Sequence, residues 1–380
     1  MYEFYEFFAG GGMVRAGLGQ EWTCLFANDF DHKKSAVYRE NWGGQELKTQ
    51  DVGKLSISDL PGKAELIWAS FPCQDLSLAG GGAGLKGDRS GTFWPFWELM
   101  KGLIASGRAP GMVVLENVCG TLTSHNGKDF EMICNAVQEG GYAIGALVVD
   151  AAMFVPQSRP RLFFVCVHES AEIPAHCFSN GAVSPWHTRV VGAFHKLPTK
   201  IRQNWIWWDP PLPPKRQTSF ADLIEEEPDS PWFSGDRTEE VLKAMSQINT
   251  AKVRKAKHEK RRIVGALYMR TRLDEHGNKV QRAEIRFDDI SGCLRTPAGG
   301  SSRQTIVIVD GPSVKARLIT RRETARLMGL PDSYKLPENY NEAYHLTGDG
   351  VVVPVVRHLA QHIFEPILKC LRNRETTAAA

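Results

Sequence analysis

In the stretch Ser70-Phe71-Pro72-Cys73-Gln74-Asp75-Leu76-Ser77, a cysteine stands directly behind a proline. The preceding run Glu65-Leu66-Ile67-Trp68-Ala69 reads as a buried strand. Proline fixes its own φ and disfavours the helical region for Phe71, so the strand ends abruptly and Cys73 is presented in a defined direction. A thiol is a few per cent thiolate near neutrality, and a nearby cation or helix start raises that fraction. Cys73 is therefore a candidate nucleophile, although a lone cysteine is most often inert core. Its neighbours Gln74, Asp75 and Ser77 are polar, and the stretch from Gly80 to Gly87 contains five glycines. Such a segment suits a cover that closes over a substrate.

Two further groups can serve the same chemistry. Glu116 closes the apolar run Gly111-Met112-Val113-Val114-Leu115, where a pKa raised by burial would let it act as a general acid. Arg159 and Arg161, in Pro156-Gln157-Ser158-Arg159-Pro160-Arg161, share one face if the chain is extended. Taken singly, strand-end carboxylates and paired arginines also serve as surface ion pairs.

A ligand site is suggested at the N-terminus. Phe8-Ala9-Gly10-Gly11-Gly12 follows a first strand and opens a helix, so its amides can approach a ligand closely. Arg15 stands where the third glycine of a dinucleotide fingerprint would be, and no Gly-Lys-Ser/Thr follows, which excludes a P-loop. Asp29 ends the second strand and is spaced to accept from ribose hydroxyls, with Phe30 beside it to stack on a base. Asp51 is a third polar candidate. Either aspartate would serve equally as a helix N-cap.

The elements that must hold these groups follow from the pattern. Over the first 170 residues, short apolar runs alternate with helical periodicity, as expected for a doubly wound, mostly parallel sheet buried on both faces. Ligands in such sheets sit at the carboxyl ends of the strands, where the glycine turn, Cys73 and Glu116 all fall. We expect a catalytic and cofactor-binding domain over 1–170 and a smaller, loop-rich domain with little helix over 171–312. A return to the first domain is expected over 313–372, then a disordered tail over 373–380. Between Ala251 and Arg286 there are 12 Lys/Arg against 4 Asp/Glu, a net +8 in a chain of net +3. That stripe is the footprint expected for phosphate contacts. The 8 cysteines are scattered with no C-x-x-C pair, which suggests neither a zinc knuckle nor a disulfide framework. No apolar run is long enough to span a membrane and the N-terminus is unlike a signal peptide, so the expected location is the cytoplasm.

Taken in order, FAGGG, NDFD, SFPCQDLS, GDRSGTF, ENV, VPQSRPR, RLITRRETARLMGLPDSY and GDGVVVPVV resemble the cytosine-C5 DNA methyltransferase family. The match covers nearly the whole chain except about 170–290. The resemblance implies a Rossmann-like methyltransferase fold and transfer of a methyl group from S-adenosylmethionine to C5 of a flipped cytosine, with no metal. Cys73 would add to C6, Glu116 would act at N3, and Arg161, with Arg159 beside it, would hold O2 as charge builds there. Phe8, Ala9, Gly10, Gly11, Gly12, Asp29, Phe30, Asp51, Pro72 and Phe93 would enclose the cofactor. Gln74, Ser77, Arg89, Arg295, Ser301 and Arg303 would contact double-stranded DNA. A monomer of prokaryotic or phage origin is implied, alongside a separate restriction endonuclease in some members.

Two departures stand out. Met13 replaces a common glycine, and the usual G-N-S-V pattern reads Gly348-Asp349-Gly350-Val351, which exchanges an amide for an acceptor-only carboxylate. The alternatives are a tRNA cytosine-C5 methyltransferase, which shares these motifs, and a non-catalytic DNA-binding regulator, which would have lost Cys73. A cysteine hydrolase would need a histidine base near Cys73, and no motif supplies one.

Overall fold

The computed structural model describes residues 1–72, 90–259, 261–274, 276–295 and 303–379. Cys73, Gln74, Ser77, Arg89 and Ser301 lie outside the described residues. The chain divides into two compact units: Met1–Asp150, Pro160–Pro213 and Val353–Ala380 form the first, and Ala151–Arg159 with Pro214–Val352 the second.

The first unit runs β1 (Tyr2–Phe7), α1 (Met13–Leu18), β2 (Trp22–Asp29), α2 (His32–Trp42), β3 (Leu47–Thr49) and β4 (Leu66–Ala69). It continues through α3 (Phe93–Ala105), β5 (Met112–Val118), α4 (Lys128–Glu139), β6 (Tyr142–Asp150) and β7 (Pro160–His168). Short pieces follow: β8 (Phe178–Ser179), α5 (Val191–Phe194), α6 (Thr199–Gln203) and β9 (Trp207–Trp208). The sheet order is β3-β2-β1-β4-β5-β7-β6, parallel from β3 to β5, with β7 antiparallel to both its neighbours.

The central strands are mostly apolar because both faces are covered. On β4, Ile67 and Ala69 join the core formed with α3 and α4, while the Trp68 ring meets Phe163 and Phe364 on the opposite face. That second cover comes from the C-terminus, in α11 (Val353–Leu359), the wide helical turn Ala360–Phe364 and α12 (Glu365–Ala379).

In the second unit, α7 (Gly235–Lys243) and α8 (Gln247–His258) precede β10 (Arg262–Leu273), β11 (Lys279–Arg286), β12 (Thr305–Asp310) and β13 (Ser313–Leu318). The strands form an antiparallel sheet in the order β11-β10-β12-β13. Two helices complete the unit, α9 (Arg321–Leu327) and α10 (Tyr340–Asp349). Val253 and Ala256 of α8 pack on Leu267, Ile285 and Val307 of the sheet. Arg254 and Lys255 of α8 are left exposed, and the rest of the basic stretch runs on through β10 and β11, where Arg270 and Arg272 pair with Glu284.

Four boundaries differ from the sequence expectation. Residues 151–159, expected within the first domain, belong to the second unit. Residues 171–213 belong to the first unit, because the Ile206 amide donates to Ile144 O at 2.9 Å and Trp208 Nε1 to Val165 O at 3.1 Å. Residues 313–352 belong to the second, because β13 completes its sheet by pairing with β12. The tail expected to be disordered continues α12 as far as Ala379, since Glu, Thr and Ala follow with no glycine or proline to stop the helix. The second unit also contains two full helices, α7 and α8, where little helix was expected.

The C-terminal return depends on a close helix contact. A Cβ at Gly17 would lie 2.5 Å from Val356 Cβ and 2.8 Å from the Val353 carbonyl oxygen. Alanine gains about 1 kcal/mol in helix propensity over glycine, but overpacking a fixed contact costs about 1–3 kcal/mol. Gly17→Ala should therefore lower the denaturation midpoint rather than raise it, as read by urea unfolding of the purified protein.

Candidate active site

The parallel register builds the site of the first unit. Phe7 pairs with Asn28 on one side and with Ala69 on the other, and Ala69 pairs with Leu115. The next residue of each strand therefore emerges along one edge: Asp29, Phe8, Ser70 and Glu116. Asn28 extends this edge to β3, donating to the carbonyls of Lys48 at 3.0 Å and Gln50 at 2.8 Å, just before Asp51.

The glycine turn is tightly made. Phe8 has φ 58°, a conformation rarely adopted by a bulky L-residue, and Gly12 has φ 78°. A side chain at Gly12 would meet Trp42 Nε1 at 2.4 Å and Tyr38 at 2.9 Å. Two of the amides expected to face a ligand are used internally: Gly10 N–H donates to Asp29 Oδ2 at 2.8 Å and Gly12 N–H to Ala9 O at 2.8 Å. The turn thus works through its shape and through Asp29. Asp29 also accepts from the Asp31 amide at 2.8 Å, and its burial raises its pKa against the pull of Lys34 and these amides. Phe30, next to it, is 66% exposed, an open aromatic face at the strand end. Asp51 is exposed and caps the turn after it, accepting from Gly53 N–H at 2.8 Å.

Glu6 is a group that sequence reading missed. It lies on β1, 1% exposed, directed toward the amides of Val14 and Arg15 at the start of α1. Neither of its carboxyl oxygens has a hydrogen-bond partner of full geometry. The start of α1, the usual anion site after a first strand, thus faces a carboxyl group of the protein itself. That carboxyl group occupies the place a phosphate would take. Burial pushes the Glu6 carboxyl up to about 8, opposed by Arg15 and the two amides and assisted by Asp29. A glutamate flanked by Tyr5 and Phe7 near the end of the strand was the available signal.

The catalytic candidates of this unit are held by the adjoining strands. Glu116 is 7% exposed, and Arg161 Nε lies 3.3 Å from its Oε1. Arg161 sits at the start of β7, paired across from Val118, which brings it diagonally against Glu116. Asn117 was also missed. Its Nδ2 donates to Phe71 O at 3.2 Å, and its Oδ1 accepts from the Val118 amide at 2.8 Å. It therefore fixes the carbonyl just before Pro72, and Pro72 leads directly to Cys73. Phe93 was expected to enclose a ligand, but it is fully buried. Its ring lies 5.4 Å from Phe71 and stacks on Trp97 at 6.0 Å, so it supports Phe71 from the core.

In the second unit, Arg159 is 2% exposed and makes four contacts. Nη1 donates to Leu294 O at 2.9 Å and Cys293 Sγ at 3.4 Å, and Nη2 to Gly348 O and Gly350 O at 2.7 Å each. A guanidinium used in this way orders the protein rather than a substrate, unlike the role expected for it beside Arg161. Arg295 is exposed. Arg303 is bonded to Asn341 and lies 5.7 Å over the Tyr340 ring. Among the described residues, no group of three His, Cys, Asp or Glu side chains is placed to hold a metal ion, and no helix is long and apolar enough to cross a membrane.

A seven-stranded sheet with one antiparallel strand, and polar groups gathered at its carboxyl edge, defines a methyltransferase fold. The profile of the C-5 cytosine-specific DNA methylase family matches residues 2–365, and the chain belongs to that family. Among its relatives, the type II methyltransferase M.NlaX of Neisseria lactamica is 26% identical over 96% of both chains. M.HhaI of Haemophilus parahaemolyticus is 25% identical over 95% of this chain and 93% of its own. The fold is shared with the S. pombe Dnmt2 methyltransferase, at TM-score 0.59, 17% identity, and 96% and 99% coverage. It is also shared with a putative DNA modification methyltransferase encoded within an E. coli prophage, at TM-score 0.57, 17% identity, and 97% and 100% coverage. The chain is thus an enzyme that methylates cytosine at C5 in DNA with S-adenosylmethionine.

Glu6 supplies a test of the turn. Its folded pKa of about 8 lies above the ordinary 4.5, so the native state binds the extra proton. Its contribution to stability is present in full below pH 4.5 and is lost as pH rises through about 8. Across that window the melting temperature of the wild type should decline more steeply than that of Glu6→Gln. Parallel curves from scanning calorimetry would refute the assignment.

Proposed function

We propose that this chain is a type II, sequence-specific DNA cytosine-C5 methyltransferase acting through a Cys73–C6 adduct. The reading is carried by the row of Phe8, Ser70 and Glu116 at the carboxyl edge, with Arg161 against Glu116 and Asn117 fixing the approach to Cys73. Bound S-adenosylmethionine supplies an electrophilic methyl group on a sulfonium sulfur. The residues present fit it: Asp29 beside the exposed Phe30 suits a ribose and an adenine, Asp51 an amine, and Phe8, Ala9 and Pro72 would line the same edge.

The work of the chain is to activate C5. Inside a duplex that carbon is inaccessible, so the base is flipped out at a cost of a few kcal/mol. The Cys73 thiolate forms a bond to C6 and drives electrons towards C5, while Glu116 delivers a proton to N3. Arg161, held against Glu116, stabilises charge developing at O2. Once C5 carries its methyl group, a water takes the C5 proton, the electrons of that bond re-form the C5–C6 double bond and expel Sγ from C6, and N3 returns its proton to Glu116, freeing the Cys73 thiolate and 5-methylcytosine. Gln74, Ser77, Arg89, Arg295, Ser301 and Arg303 are assigned to the DNA, together with the basic face of α8. We place the enzyme as a monomer in a bacterial cytoplasm, with any cognate endonuclease acting separately.

Incubation with labelled S-adenosylmethionine should transfer methyl to duplex DNA, and Cys73→Ala should abolish transfer. Arg161→Ala should lower kcat about 10²–10³-fold, the usual effect of removing one oxyanion donor. Transfer to tRNA but not to DNA, or full activity of the alanine variant, would sink the reading.

A further inference from the structure

The segment Ala151–Arg159 leaves the first sheet after β6 and belongs wholly to the second unit. Two of its polar side chains, Gln157 and Arg159, are buried. Gln157 is 0% exposed, and its Oε1 accepts from the Leu294 amide at 3.0 Å. Its Nε2 donates to Leu327 O at 2.8 Å. Arg159 donates to the carbonyl of the same Leu294 at 2.9 Å. Both main-chain polar groups of one buried residue are therefore held by two side chains of this segment. The Ser158 amide donates to Ser291 O at 2.9 Å and the Ser291 amide to Pro156 O at 2.8 Å, continuing the alignment through the main chain.

The same two side chains serve helix ends. Leu327 is the last residue of α9, and Gly348 and Gly350 bracket the last residue of α10. Carbonyls at a helix C-terminus have no intrahelical donor and carry the negative end of the macrodipole, so a cation there is favourable. Asp349 is the final residue of α10, where its charge opposes that dipole. The Arg159 guanidinium, bonded to the carbonyls on both sides of Asp349, offsets it. This gives a physical reason why a carboxylate is tolerated in the Gly348-Asp349-Gly350 turn.

We propose that Gln157 and Arg159 are positioning residues for DNA recognition. Together they tie Cys293-Leu294, and with it the exposed Arg295, to the ends of α9 and α10. The proposal rests on the methyltransferase reading for the role of Arg295, whereas the bracket itself is a property of the second unit. A lysine at position 159 keeps the charge but presents a point donor in place of a planar fork, so it cannot span both Leu294 and the α10 turn. Leucine at 157 retains bulk but leaves the Leu294 amide and Leu327 carbonyl without their partner.

The test uses the full-length enzyme, labelled S-adenosylmethionine and plasmid DNA whose methylated sites are read by bisulfite sequencing. Arg159→Lys and Gln157→Leu should each raise KM for DNA about tenfold, the effect of losing roughly 1.4 kcal/mol of ordering, and should spread methylation to sites the wild type leaves unmodified. KM for S-adenosylmethionine should stay within about twofold, a split that general destabilisation would not produce. Hydrogen exchange should quicken together at the amides of 293–295 and 348–351 in Arg159→Lys, while β4 and β5 keep their protection. In the double variant the loss should be smaller than the product of the single losses, because both side chains hold one residue. Unchanged exchange at either segment overturns the bracket. A fall in kcat with unchanged KM for DNA and unchanged site choice would instead make Arg159 a substrate contact. Failure of the methyltransferase reading appears differently, as no transfer to any DNA by the wild type, and the exchange measurement then decides the bracket alone.

Discussion

Parallel register between β1, β2, β4 and β5 is the constraint on which the rest of the first unit depends. Because Phe7, Asn28, Ala69 and Leu115 are aligned, the residues that follow them leave the sheet together at one edge. A one-residue slip on any strand would send its side chains to the opposite face and remove its group from the row. Register is held by apolar burial on both faces, and most visibly on β4, where Ile67 and Trp68 pack into opposite layers. Catalytic geometry in this protein is thus a by-product of core packing.

Polar groups that are buried and bonded finish what register begins. Asn28 fixes the end of β3, Asn117 fixes the carbonyl before Pro72, and Asp29 holds both the glycine turn and the residue at 31. Each lies where a strand becomes a loop, and an unmet donor or acceptor there would cost about 1–3 kcal/mol. The second unit uses the same device around Leu294. In both units, ordered loops depend on buried side chains bonded to main-chain groups. Glu6 differs, because it is buried without complete hydrogen bonding and so favours its protonated form.

Much of this was legible from residue types. Alternating apolar runs and helical periodicity indicated the doubly wound sheet, and the ordered motifs indicated the family, because each motif is a local necessity of strand end, turn and helix start. Glu116 and Arg161, far apart in sequence, emerge 3.3 Å from one another. Phe93 and Arg159 look the same in sequence as ligand-facing residues, yet one is core and the other a clamp within the second unit. Residue type does not reveal which way a side chain turns. The domain limits were missed for a related reason: prolines and tryptophans between 171 and 213 suggested a new domain, whereas Trp208 bonds to the first sheet.

The sequence by itself determined the chemistry available and the order of its parts: a thiol behind a proline, a strand-end carboxylate, a glycine turn and paired arginines. These are set by neighbours one to four positions away, which a linear reading contains. Tertiary structure alone decided where Gln157, Arg159 and Glu6 spend their polar groups. The partners of Arg159 lie 135 and 189 residues further along the chain, and only packing brings such distant carbonyls to one guanidinium. Burial, likewise, is a property of the folded whole, and it is burial that makes Glu6 a group titrating near neutrality rather than an ordinary carboxylate.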